Sequence, residues 1–163
     1  MSVPEGPAGP TEAASTVPDR RRSMVFAALI GVGVMAAVDQ IVFHQLLGWH
    51  HFYDRSTSDV GLMSDGFLHA GELLILVAGA LLFGDLRRRA AVAHASARAG
   101  LCLGLGGFQL FDGLVVHKVL RLHQVRHGVE LLVYDVVWNL AGLAILAIGV
   151  VLAVRSRHED EGS

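Results

Sequence analysis

The amino-acid sequence predicts an all-α membrane protein whose four transmembrane helices form two parallel repeated hairpins. Three observations predict this fold class: four long apolar stretches, an uneven distribution of arginine, and an internal repeat. The 163-residue chain is 53% hydrophobic with a mean hydropathy of +0.51, which is high for a soluble protein. The formal net charge of -2 and the lack of a basic cluster interleaved with aromatic residues indicate no nucleic-acid partner.

The apolar residues fall into stretches 24–47, 66–83, 97–120 and 131–154. Each is about as long as the ~20 residues that a helix needs to cross the hydrocarbon of a bilayer, which is the expected partner of this surface. The first stretch is too long for a signal peptide and lacks a small-residue cleavage site, so we interpret it as a retained helix. We therefore expect a disordered tail over 1–22, a transmembrane domain over 23–154 and a second tail over 155–163, with residues 48–65 forming the first loop.

Arginine predicts the orientation of the helices. Nine of the 13 Lys and Arg residues lie on one side of the predicted spans, namely Arg20, Arg21, Arg22, Arg87, Arg88, Arg89, Arg98, Arg155 and Arg157. Cytoplasmic loops of membrane proteins carry such an excess of positive charge. We expect a multi-pass membrane protein with both termini in the cytoplasm.

An internal repeat relates the two halves of the chain, about 24–84 and 97–154. A shift of 73 residues places 31–52 over 104–125, and seven of these 22 positions are identical. The identical pairs are Gly31/Gly104, Gly33/Gly106, Asp39/Asp112, Val42/Val115, His44/His117, Leu47/Leu120 and His50/His123. A shift of 70 places Asp65 over Asp135. Because two crossings return each half to its starting side, the halves should be parallel and related by a pseudo-two-fold axis along the membrane normal.

Histidine and carboxylate side chains concentrate in the outer third of the predicted spans. By helical rise, His44 is level with Asp65 and His117 with Asp135. Asp39 and His44 are five residues apart, about 140° around an ideal helix, so both can face one point only if the helix is distorted. Ionisable groups are costly in hydrocarbon and normally mark a functional site inside the helix bundle.

Imidazole and carboxylate together are suitable metal ligands, and their duplication favours a metal site near the extracytoplasmic face. The candidate ligands and orienting groups are His44, His69, His117, Asp39, Asp65, Asp112 and Asp135. A second site or an access path could be formed by His50, His51, His123 and His127. Copper, iron or zinc would suit these ligands, and a haem with His44 and His117 as axial ligands is a variant.

Three readings of this pattern stay open. A metal-binding protein could deliver its ion to a respiratory or other membrane protein, or perform redox chemistry. Alternatively, the Asp and His residues form a proton or cation path, and so small a unit would then be expected to form a homo-oligomer. In a purely structural subunit, the same residues would only join the helices by hydrogen bonds of about 0.6 kcal/mol each. No arrangement of nucleophile and base indicates an enzyme.

Two runs of the sequence resemble a bacterial family of predicted membrane proteins, the domain-of-unknown-function family 2243. The first run contains Asp39, His44, His50 and His51 and is followed by Asp65-Gly66-x-x-His69; the second contains Asp112-Gly113, His117, His123, Arg126 and His127. The resemblance extends over nearly everything between Arg20 and Val154. It implies the four-helix membrane fold and the shared Asp and His positions, and it implies no reaction. The chain departs from the pattern at Asp39-Gln40, where the second half has Asp112-Gly113.

Overall fold

The computed structural model describes residues 17–161, so most of the tail predicted over 1–22 lies outside the described residues. Helix α1 (Arg20–Val38) continues directly into a first π-helical segment (Asp39–Leu46), and helix α2 (Ser58–Arg88) follows. Helix α3 (His94–Leu110) continues into a second π-helical segment (Phe111–Leu120), and helix α4 (Leu131–Glu161) ends the described chain. Four helical stretches are long and apolar enough to cross a membrane: Arg20–Leu46, Ser58–Arg88, His94–Leu120 and Leu131–Arg157. The predicted all-α fold with four spans is confirmed.

Two helices extend beyond their predicted apolar stretches. Helix α2 begins inside the predicted loop, because the Thr57 hydroxyl accepts a hydrogen bond from Val60 N (3.4 Å) and Asp59 adds negative charge to the first turn. Helix α4 continues to Glu161, where we had expected a disordered tail from residue 155. An α-helix satisfies its own backbone hydrogen bonds, so it need not end where the hydrocarbon does.

Helices α1 and α3 form the central pair, with α2 packed on α1 and α4 on α3. Within residues 17–161, α2 and α4 make no contact with each other. Glycine brings the central helices together: a Cβ added at Gly104 would lie less than 3.0 Å from the backbone of Ala28, and one at Gly31 would meet the backbone of Leu101 as closely. Small residues of this kind allow close packing between transmembrane helices, which has no hydrophobic driving force of its own.

Many contacts of the first half recur 73 or 70 residues later. Gly33 packs against Leu76, and correspondingly Gly106 packs against Leu146. Gly48, two residues beyond the end of the first π segment, has φ 56°, and its counterpart 73 residues later, Arg121, has φ 52°. These matched contacts support the predicted two-fold relation between the halves, which stays a prediction.

Candidate metal centre

The two π-helical segments position the two carboxylates of the candidate site. A π-helix closes its hydrogen bonds between residues i and i+5, so residues five apart lie one above the other, unlike in an α-helix. Asp39 and His44 meet within the first segment, with Oδ2 3.3 Å from Nε2. Asp112 and His117 meet in the second, with Oδ2 3.0 Å from Nε2. The helix distortion that the five-residue spacing required is therefore present in both halves.

Four imidazole rings lie together between the two segments, and we call His44, His50, His117 and His123 the imidazole cluster. The rings of His50 and His123 stack, with centroids 4.5 Å apart and planes inclined by 7°. His44 lies beside His50 (4.4 Å between centroids), and His117 lies beside His123 (4.6 Å). All four residues are 4% exposed or less, so the cluster is shielded from solvent.

The loop of each half accepts a hydrogen bond from a histidine of the other half. His50 Nδ1 donates to the carbonyl of Val125 (2.9 Å), and His123 Nδ1 donates to the carbonyl of Phe52 (2.9 Å). Since a carbonyl only accepts, both Nδ1 atoms carry the proton, and both Nε2 atoms present a lone pair. These Nε2 atoms face the carboxylates: His50 Nε2 is 4.0 Å from Asp39 Oδ1, and His123 Nε2 is 3.6 Å from Asp112 Oδ1.

Burial keeps the two loop imidazoles neutral. Desolvation and the neighbouring imidazoles lower the pKa of His50 to about 2, against a small opposing effect of the Val125 carbonyl. Desolvation also lowers the pKa of His123, although Asp112 acts in the other direction. Neutral imidazole is the form that binds metal. The Nε2 lone pair of His50 has no hydrogen-bond partner, whereas that of His123 accepts from His117 Nε2 (2.9 Å).

Several buried polar atoms at this point make no hydrogen bond. They are Asp39 Oδ1, His44 Nε2, His50 Nε2, Asp112 Oδ2 and His117 Nδ1. Buried polar atoms in folded proteins almost always have a partner, and a missing water or ion is a common reason for an exception. Two sets bring three ligand atoms within 4.8 Å of one another: His44, His50 and His123 form one, and Asp112, His117 and His123 form the other.

Asp65 orients the first half of the cluster. Its Oδ1 accepts from His44 Nδ1 (2.8 Å) and from the backbone of Phe52 (2.7 Å), and its Oδ2 accepts from His51 Nδ1 (2.6 Å). His44 therefore carries its proton on Nδ1 and directs Nε2 toward Asp39. This carboxylate–imidazole arrangement is typical of the groups that fix the tautomer of a metal-bound histidine.

Three predicted site residues form pairs with side chains that do not belong to the cluster. His69 pairs with Glu72 (Nδ1 to Oε1, 2.5 Å), and its side chain is 41% exposed. Asp135 does not bond His117, because the Lys118 ammonium pairs with its Oδ2 (2.5 Å). His127 pairs at the surface with Asp54 of the other half's loop (2.7 Å).

The histidines that we had assigned to a second site or access path divide into two groups. The structure places His50 and His123 at the centre of the imidazole cluster, whereas His51 lies beside Asp65 near the surface and His127 lies in a surface pair. The sequence carried a signal for the central pair, since His50 and His123 are one of the seven identical pairs of the repeat. Helical rise alone could not place them, because both lie in loops.

The fold and site define a polytopic α-helical membrane protein with a buried cluster of histidine and aspartate at one end of its helices. The arginine-rich ends of α1, α2 and α4 lie at the opposite end. Residues 26–156 match the family described as "Predicted membrane protein (DUF2243)", and the chain belongs to this family. Comparison with curated proteins and with solved structures gave no significant match.

Proposed function

We propose that this protein binds a metal ion at the imidazole cluster, near the extracytoplasmic face of the bacterial plasma membrane. The observation that carries the proposal is the convergence of four buried imidazoles and two buried carboxylates, five of whose side-chain nitrogen and oxygen atoms make no hydrogen bond. Two carboxylates beside neutral imidazoles are costly to bury, and a divalent cation would offset their charge.

The ligand chemistry favours copper, iron or zinc. Imidazole nitrogen suits these ions, and the cluster contains neither thiolate nor thioether. His117 Nε2 and His123 Nε2 are 2.9 Å apart and share a hydrogen bond. Two nitrogens that bind one tetrahedral ion at ~2.0–2.1 Å are roughly 3.4 Å apart, so an ion would replace this hydrogen bond with a small separation of the two rings. Delivery of the ion to a membrane or respiratory protein and redox chemistry at the site both remain compatible with this chemistry.

The geometry favours an ion over haem. His50 and His123 lie between His44 and His117, which were the expected axial ligands, and their rings stack directly on each other. A porphyrin bound between His44 and His117 would have to displace this stacked pair.

Proton or cation transport is the alternative, and the sequence of the central helices gives it less support. Between Met24 and Val38 of α1, and between Leu101 and Leu110 of α3, no residue is ionisable apart from Cys102. The two helices pack through glycine over this depth. An ion path from the cluster to the other face would need polar groups here, so the described helices favour a site at one face.

The test is elemental analysis and an absorption spectrum of the detergent-purified full chain. We expect about one metal ion per chain in the native protein and its loss from the His44→Gln/His117→Gln variant. The matched control is His94→Gln, which removes an exposed imidazole at the opposite end of the bundle. A native protein without metal after reconstitution with copper, iron and zinc in turn would contradict the proposal, and pH-dependent flux in liposomes would then support transport.

A further inference from the structure

A cavity of about 400 Å³ lies beside the imidazole cluster in the first half of the molecule. It opens between the first π segment and α2, and its polar lining consists of Gln45, His51, Asp65 and His69, with His44 at its inner end. The exposed fraction of the side chain falls along this lining, from 41% for His69 and 35% for His51 to 5% for Asp65 and 0% for His44. The cavity therefore leads from the surface to His44 of the cluster, and we call it the access port.

The port presents free imidazole nitrogen to an incoming cation. His51 and His69 both use Nδ1 to bond a carboxylate, which leaves Nε2 of each ring free. In the described part of the chain, only the two sets of the cluster bring three ligand atoms within 4.8 Å of one another. The port thus offers one or two ligands at a time, which suits passage of an ion better than its retention.

The second half carries an ammonium group at the corresponding place. By the shifts of 73 and 70 residues, Gln124 corresponds to His51 and Asp135 to Asp65. Lys118 bridges these two counterparts, with Nζ 3.1 Å from Gln124 Oε1 and 2.5 Å from Asp135 Oδ2. A fixed positive charge at this position repels a metal cation and occupies the carboxylate that would attract it.

We propose that the metal ion reaches the imidazole cluster through the access port of the first half, and that Lys118 closes the corresponding route in the second half. This inference rests on the proposed metal site. In this proposal, His51 and His69 affect the rate at which the metal ion binds, whereas the cluster determines how much metal is bound.

The experiment measures the rate at which Co²⁺ binds to the metal-free, detergent-purified full chain, followed by the visible absorption of the bound ion after rapid mixing. In His51→Gln/His69→Gln, we expect loading to slow by about tenfold or more, since the port loses the groups that concentrate the cation. The final amount bound and its spectrum should equal those of the native protein, which shows that the cluster is intact. His94→Gln is the control and should load at the native rate.

A second variant tests the closed route independently of the first. Lys118→Gln removes the ammonium and leaves Asp135 free, so we expect faster loading than in the native protein. Native rates in both His51→Gln/His69→Gln and Lys118→Gln would overturn the access port while leaving the metal site standing. A native protein that binds no Co²⁺ and no copper, iron or zinc would instead overturn the proposed function.

Discussion

At the scale of single residues, the two halves differ most at a pair of aspartates. Asp65 bonds His44 directly, whereas its counterpart Asp135 is held by Lys118 and leaves His117 Nδ1 without a hydrogen bond. The tautomer of His44 is thus fixed by Asp65, from outside the cluster, whereas the Nε2 of His117 bonds within the cluster to His123 (2.9 Å). The first half has the better-organised ligand.

Substitution of Asp65 tests this difference. We expect Asp65→Asn to weaken metal binding by about 10–100-fold, as loss of an orienting carboxylate does in other metal sites. The matched control is Asp135→Asn, which removes an aspartate that contacts no cluster histidine and should leave the affinity unchanged. Competition with a chelator of known affinity measures both, and equal effects of the two substitutions would contradict the assigned role of Asp65.

The same residues show what the sequence could and could not predict at this scale. Helical rise placed His44 level with Asp65, and the 2.8 Å hydrogen bond confirms it. The same reasoning placed His117 level with Asp135. Helical rise says nothing about long side chains, and here the ammonium of Lys118 pairs with the Asp135 carboxylate in place of His117. The partners of His50 and His123 are carbonyls of the other half's loop, which no periodicity reveals.

At the scale of elements, the number of spans followed from hydropathy, whereas the bounds of α2 and α4 and the π-helical segments did not. The five-residue spacing of Asp39–His44 and Asp112–His117 required a distortion, and the π-helical form supplies it twice. The sequence could not predict which kind of distortion this is, because single residues carry no clear preference for a π-helix. The glycines of α1 and α3 indicated that these helices pack closely against other helices. They did not indicate that α1 and α3 pack against each other.

Glycine at the α1–α3 contact gives a stability prediction. In Gly104→Ala the new Cβ would meet the backbone of Ala28 at less than 3.0 Å, so the helices must separate, at a cost of about 1–3 kcal/mol in the free energy of unfolding. Gly107→Ala, on the same helix with no neighbouring atom within 4 Å, should be neutral or stabilising by up to ~1 kcal/mol. Unfolding in mixed SDS micelles, followed by circular dichroism, compares the two. Equal stability of both variants would show that the close contact is not required.

At the scale of the whole molecule, the cluster and the arginines lie at opposite ends of the helices. The cluster lies where α1 and α3 end in their π segments, and Arg87 and Arg88 lie in the last turn of α2 at the other end. If the arginine-rich end is cytoplasmic, as the charge distribution predicts, the cluster faces the outside of the cell. The orientation decides from which compartment the metal would come.

Reporter fusions test the orientation. Alkaline phosphatase, which folds only outside the cytoplasm, should be active when joined after Gly128 and inactive when joined after Arg89. β-Galactosidase at the same two positions is the reciprocal control, since it is active only in the cytoplasm. The reverse pattern would place the cluster on the cytoplasmic side and would contradict the predicted topology.

The crossed loop contacts also constrain the biosynthesis of the protein. His50 is 75 positions from Val125, whose carbonyl accepts its hydrogen bond. His123 is 71 positions from Phe52, whose carbonyl accepts the hydrogen bond of His123. When the first hairpin leaves the ribosome and enters the bilayer, His50 has no partner, and it gains one only after the third span and the loop beyond it have been translated. The cluster is therefore assembled late in membrane insertion, so the proposed metal ion would be captured only by a chain whose translation is nearly complete.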